Sequence, residues 1–387
     1  MNTVQARVWQ FQVQGPTVTA TEVGQGALPV GLARLVHINA LACDVHRVLD
    51  YRTKQLEVRL LVSYLDAPKP RGPLQVDHRA FTASSRHIRG FVAESSGLGI
   101  LTAASEALFA WDHKAHALHS FDALPGRMRT GYQADGVRPD LLFHLPGGRI
   151  AGEARGRHRT AKTLLPQRPL ADQKARLREL ALWSASHREH AYFMSWVWIG
   201  SSGVAVDIFL PQHGRWNDAL DTRWERHSQG RQWRFPVRQE RHRRAEQFPV
   251  QEPGDDSGQL DGMLAEPAAI APHSAAPAHR AADPQKQAEA IAQQLFDSAP
   301  ERGAELAGLE LRGTWAPTDV LGPAQHEVLL AVLSGRPPRQ AVVRDRLART
   351  EGRFDACLDG RLLTVVSPLS RPRPQWRELE RALLPEW

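Results

Sequence analysis

Two carboxylates on either side of a tight turn are the residues of this chain best placed to do chemistry. Asp140 follows Pro139 at the head of the apolar run Leu141-Leu142-Phe143. Glu153 stands inside Ile150-Ala151-Gly152-Glu153-Ala154-Arg155, and Pro146-Gly147-Gly148 lies between the two runs. Apolar runs bounded by Pro and Gly read as strands, and the Pro-Gly-Gly step reads as a hairpin turn. Pairing the strands would place one carboxylate from each at the same end of a sheet. Hard oxygen donors in that arrangement suit Mg²⁺ or Mn²⁺, which keeps several waters and readily takes a phosphate oxygen into its shell. Such an ion acidifies a water for attack on phosphorus and neutralises charge in the transition state.

Pro139-Asp140 and Glu153-Ala154-Arg155, with the elements expected around them, resemble the PD-(D/E)XK nuclease superfamily, the restriction-endonuclease-like fold. The resemblance covers about Ser84 to Leu210. It implies an α/β domain with a mixed central sheet flanked by helices, and Asp140, Glu153 and the Ala154 carbonyl as ligands of Mg²⁺ or Mn²⁺. Arg155 stands where the family places lysine. An arginine cannot accept a proton at working pH, but it can hold a phosphate and balance charge. A helical glutamate before the hairpin often completes the acidic cluster, and Glu94 is preferred here over Glu106. Gln173 opens the following helix, either as a substrate contact or as a first-turn polar residue. Arg157, Arg159 and Lys162 are candidate phosphate contacts. The resemblance implies a metal-dependent nuclease acting on DNA, in restriction, phage defence, repair or mobile-element control. The alternative is an inactive nuclease fold that binds nucleic acid or serves assembly, with a protein partner or a second copy.

The elements that must position these residues can be read from periodicity. Residues 1–75 alternate in strand fashion at Val4–Val13, Leu35–Asn39 and Gln55–Tyr64, predicting a β-rich N-terminal module. Ser84 to about His119 is helical in spacing, with Gly97 and Gly99 expected to interrupt it. After the hairpin, Asp172 is the expected N-cap of a helix over Gln173–Ser186. Strands follow at Ala191–Ile199 and Val204–Leu210. The nuclease-like domain is thus expected over 76–237, a flexible linker over 238–284 and a small α+β domain over 285–387. In the last domain Gln287–Phe296, Gln325–Leu333 and Arg339–Arg349 read as helices. A hairpin then turns at Asp359-Gly360, an order compatible with a winged helix.

The chain has 387 residues and a net charge of +7, unevenly spread. Gly147 to Ala245 carries 19 Lys/Arg against 9 Asp/Glu, a surplus of +10 around the carboxylates. That is the electrostatic footprint of a polyanionic partner. No apolar run reaches the ~18 residues of a membrane helix, and the N-terminus has no signal core, so a cytoplasmic protein without a membrane partner is expected. Cys43 and Cys357 are too few for a thiolate metal site and read as small buried hydrophobes. Gly156 to Thr163 approximates a P-loop, but Pro166 and Pro169 stop the helix such a loop must open. His113, His116 and His119, and likewise His187 and His190, read as solvated imidazoles. Trp183, Trp196 and Trp198 read as core. Trp216, Trp224 and Trp233, among Arg223, Arg226, Arg231 and Arg234, would suit stacking on unpaired bases.

Overall fold

The computed structural model describes residues 2–41, 50–66, 72–109, 111, 118–124, 128, 131–132, 137–145, 148–161, 163–212, 246–249, 284–322, 324–337 and 354–383. Strands β1 (Asn2–Gln14) and β2 (Thr17–Val30) lead into helices α1 (Leu32–Leu41) and α2 (Tyr51–Tyr64). A short pair, β3 (Leu65–Asp66) and β4 (Gln75–Val76), precedes α3 (His78–Ala83) and the long α4 (Arg86–Phe109). Next come β5 (Leu118–Ser120), the hairpin β6 (Leu141–Leu145) and β7 (Gly148–His158), helix α5 (Ala171–Ser186), β8 (Tyr192–Gly200) and β9 (Gly203–Pro211). The remainder is β10 (Glu246–Pro249), α6 (Pro284–Ser298), β11 (Glu301–Leu306), β12 (Leu309–Pro317), β13 (His326–Leu333), β14 (Asp355–Asp359), β15 (Leu362–Pro368) and α7 (Trp376–Leu383).

The fold is α/β. A mixed eight-stranded sheet runs β10-β2-β1-β9-β8-β7-β6-β5. Within it β7 and β8 are parallel, joined by the crossover helix α5, and β1 is parallel to β9. Parallel neighbours need such a crossover because a tight turn cannot reverse the chain twice. The first 75 residues are therefore not a separate β module, since β1 and β2 extend the central sheet beside β9.

Two stretches expected as strands in that region are helical. Leu35–Asn39 lies in α1 and Gln55–Tyr64 in α2. Alternation at Leu56, Val58, Leu60 and Val62 suggested period two, yet the side chains buried are Val58, Leu61 and Val62, at helical spacing, while Leu56 is 53% exposed. Asp50 caps α2 by accepting from Thr53 N–H at 2.9 Å, a local start signal that outweighs the alternation. Helix α4 runs unbroken through Gly97 and Gly99. Glycine is there for close approach, because a Cβ on Gly99 would meet Leu35 at 2.6 Å. Gly156 does the same for β7, where a Cβ would fall 2.0 Å from the Ala93 carbonyl oxygen of α4.

The C-terminal region is a five-stranded antiparallel sheet, order β11-β12-β13-β15-β14, and not a winged helix. Gln325–Leu333, expected as a helix, contains β13, whose eight residues are all buried. A continuous apolar run has no period to read, so a buried central strand imitates a buried helix. The expected helix at Arg339–Arg349 lies outside the described residues. The helix at Gln287–Phe296 falls within α6, and β14 and β15 meet across Asp359-Gly360, with Gly360 at φ +57°. The stretch expected as a linker holds β10, which pairs with β2.

The layers share cores. Helix α5 covers one face of the large sheet over Leu177, Leu180 and Trp183. Helices α4, α1 and α2 cover the other face and carry the five-stranded sheet on their far side. Tyr51 ties α2 to that sheet, its hydroxyl accepting from Thr314 N–H at 2.8 Å and donating to the Leu330 carbonyl. Asp355 does so for α1, accepting from Ala33 N–H at 3.1 Å. Among the described residues no helix is long and apolar enough to cross a membrane.

Candidate functional site

The hairpin brings Asp140 and Glu153 together. Leu141 pairs with Gly152, so Asp140 lies across from Glu153, with its N–H donating to the Gly152 carbonyl at 3.1 Å. There β6 begins, and the Asp140 side chain takes over the pairing of β7: Oδ2 accepts from Ala154 N–H at 2.6 Å. Along β7 the odd positions project toward α5 and the even ones toward α4. Ala151 packs in the α5 core and Ala154 in the α4 core. Glu153 thus projects under α5, with 0% exposure.

Its two oxygens have different surroundings. Oε1 is held by Arg155 Nε at 2.7 Å and by Nε and Nη2 of Arg176, both at 2.7 Å. Oε2 is buried with no hydrogen-bond partner. Burial pushes the Glu153 carboxyl up from its usual range, and the two guanidiniums oppose that shift. Asp140 is raised well above the usual range, first by desolvation and then by the neighbouring charge of Glu153; the Ala154 N–H, Arg155 and Arg176 act against it.

The donors present match a hard divalent cation in kind. They comprise two carboxylates, of which Glu153 raises Asp140, a buried carboxylate oxygen left unpaired, and the adjacent Ala154 carbonyl. Among the described residues no three His, Cys, Asp or Glu side chains converge, so remaining coordination positions would fall to water and substrate oxygens. Glu94 does not join the pair. It is exposed on α4, which covers the sheet face opposite to Glu153. Glu106 forms an ion pair with Arg34.

Gln173 is fully buried and turned inward rather than toward a substrate. Its Oε1 accepts from Leu170 N–H at 2.8 Å, closing the first turn of α5, and its Nε2 donates to Asp207 Oδ2 at 3.4 Å. The helix starts after Leu170, so Asp172 is a first-turn residue and not the cap. Arg157 and Arg159 share the Glu153 face, their guanidiniums 5.3 Å above the Trp196 ring and 5.5 Å above the Trp198 ring. Arg159 also donates to the Thr163 carbonyl at 3.0 Å. Trp183, Trp196 and Trp198 are core residues. The approximate P-loop begins inside β7, where no helix follows. Lys162, His113, His116, Cys43 and the Trp216–Trp233 region lie outside the described residues, whereas Cys357 is buried.

Sequence reasoning missed Arg176 and Asp207. Arg176 sits three residues after Gln173 on the face of α5 that buries Gln173, Leu177 and Leu180, and a cation on an apolar helix face is a signal for a buried acid. Asp207 is the lone charge in the buried strand Val204–Leu210, which implies a partner for the same reason. No protein-family model matches this chain, and neither the curated proteins nor the solved structures contain a match.

Proposed function

We propose that this protein is a metal-dependent nuclease of the restriction-endonuclease-like type, hydrolysing phosphodiester bonds in DNA at the Asp140–Glu153 site. The observation that carries the reading is the half-satisfied Glu153: a buried carboxylate with one oxygen fixed by two arginines and the other without a partner. A buried polar atom left unpaired costs ~1–3 kcal/mol, a cost that a cation bound to Glu153 Oε2 would offset. Asp140, Glu153 and the Ala154 carbonyl would hold Mg²⁺ or Mn²⁺, which would activate water and neutralise the phosphate. Arg155 acts as a fixed positive charge, since its Nε is committed to Glu153 and a guanidinium accepts no proton. Arg176 supplies a second positive charge from α5 and keeps the Glu153 side chain in one orientation.

A second reading has its own support. Two guanidiniums already balance Glu153, and no third acid converges among the described residues. An inactive nuclease fold that binds nucleic acid through the basic surroundings of β7 would look the same at this site.

The test is cleavage of single- and double-stranded DNA and of RNA with Mg²⁺ or Mn²⁺, beside Asp140→Asn and Glu153→Gln. The nuclease reading expects metal-dependent cutting that falls by on the order of a hundredfold or more in each variant. Cutting that survives both substitutions removes the site, and salt-sensitive binding without cutting selects the second reading.

A further inference from the structure

A second set of side chains converges beside the C-terminal end of α5, and the carboxylate site makes no use of it. Met128, Gly131, Tyr132, Arg149, His187 and His190 line a pocket of about 330 Å³, within the size range of small-ligand clefts. None of these six residues is acidic. His190 Nδ1 lies 2.8 Å from the Ala191 carbonyl, which can only accept, so that nitrogen carries the proton. Burial lowers the pKa of this imidazole and keeps it neutral. Its Nε2 is then an acceptor, and the Tyr132 hydroxyl, 2.9 Å away, donates to it. The Tyr132 ring is held nearly parallel to Trp183, at 7° and 6.4 Å between centroids. His187 stacks on both, 5.9 Å from Tyr132 and 4.7 Å from Trp183. Flat rings, a neutral imidazole and one exposed guanidinium together match a planar heteroaromatic ring that carries an anion.

We propose that this pocket binds one nucleotide of the strand whose backbone passes Glu153, with the base against Tyr132 and His187 and a phosphate at Arg149. The proposal rests on the nucleic-acid reading of the carboxylate site. Arg149 and Glu153 are both odd positions of β7, so they project from one face, four residues or about 13 Å apart. A nucleic-acid strand crosses that distance within a few nucleotides. The pocket would therefore fix where a strand is gripped relative to the place where it is cut.

The experiment is a fluorescence-anisotropy titration in EDTA with a short dye-labelled single-stranded deoxyoligonucleotide, repeated with an abasic sugar-phosphate strand of equal length. Arg149→Ala is expected to weaken binding of both probes on the order of tenfold. Tyr132→Leu is expected to weaken the base-bearing probe on the order of tenfold and the abasic probe little, because base stacking is what it removes. Wild-type affinity in Arg149→Ala, equal losses on both probes in Tyr132→Leu, or no binding by the wild type would overturn the pocket. Arg149 is exposed, so its variant keeps the test open if Tyr132→Leu folds poorly. Chelation removes cleavage from the readout, so failure of the nuclease reading in a metal-dependent assay is a separate result.

Discussion

Glu153 and Asp207 lie on the same face of the same sheet, two strands apart, and both are 0% exposed. Asp207 is saturated. Its Oδ1 accepts from Arg7 Nε at 2.8 Å and Trp9 Nε1 at 2.9 Å, and pairs with Arg7 Nη2 at 2.7 Å. Its Oδ2 accepts from Trp198 Nε1 at 2.8 Å and from Gln173 at 3.4 Å. Glu153 has cations on one oxygen and nothing on the other. The first arrangement ties β1, β8, β9 and α5 to one another and leaves no lone pair for a ligand. The second leaves one carboxylate oxygen without a hydrogen-bond partner beside Asp140. Burial is equal in the two, and what separates them is the completeness of their hydrogen bonding.

Replacing each acid should separate the two roles, and the larger effect belongs to Asp207. Asp207→Asn strands the Arg7 guanidinium, whose side chain is only 8% exposed, and breaking such a buried pair costs roughly 3–5 kcal/mol. Glu153→Gln should cost clearly less, because the Arg155 and Arg176 side chains are 23% and 12% exposed and Arg176 also pairs with Glu179. Urea denaturation of both variants checks this. Equal losses would mean that Glu153 is as structural as Asp207 and that its unpaired oxygen marks no ligand.

His37 extends the comparison to the layer between the sheets. Its Nδ1 bonds the Thr364 hydroxyl at 2.9 Å, its Nε2 is buried without a partner, and burial, with Arg34 adding to it, lowers its pKa from 6.5 to about 3. The folded state therefore refuses a proton that the unfolded chain takes up below pH 6.5. Stability is complete above that pH and falls as pH drops, by about 1.4 kcal/mol per unit, until the folded pKa is reached. Between pH 6.5 and 5 this amounts to about 2 kcal/mol. A His37→Gln variant should show a correspondingly flatter fall in unfolding free energy over that interval. Parallel curves for variant and wild type would mean that the imidazole is protonated within the fold.

Sequence made part of this visible. The hairpin was legible because Pro146-Gly147-Gly148 separates two apolar runs, and strand pairing then required Asp140 and Glu153 to meet. Strands β8 and β9 and helix α5 were legible for similar local reasons. Helix α2 and strand β13 were misread because Val58 and Val62 also satisfy alternation, and because an unbroken apolar run carries no period. The partners of the acids lie farther away. Arg176 is 23 residues from Glu153 and Arg7 is 200 from Asp207, separations at which only the assembled sheet and crossover bring the groups together. Gln173 was noticed for its position at the head of the helix, but its direction depended on Asp207.

Gln173 connects the two acids and supplies the smallest test. From the first turn of α5 it bonds Asp207, and one turn later Arg176 reaches Glu153. If Gln173 only anchors the helix, Gln173→Leu keeps the volume buried and loses one long hydrogen bond to Asp207 and one to Leu170 N–H. Such bonds contribute about 1 kcal/mol each, and the 3.4 Å contact is the weaker of the two, so a stability loss of about 1–2 kcal/mol is expected. Under the nuclease reading, cleavage should change through turnover if Arg176 shifts, whereas KM for the oligonucleotide should stay close to wild type, because a buried side chain meets no substrate. A KM rise without a stability loss would reverse the assignment, turning Gln173 outward and making α5 a substrate-reading helix rather than the brace between a saturated carboxylate and an open one.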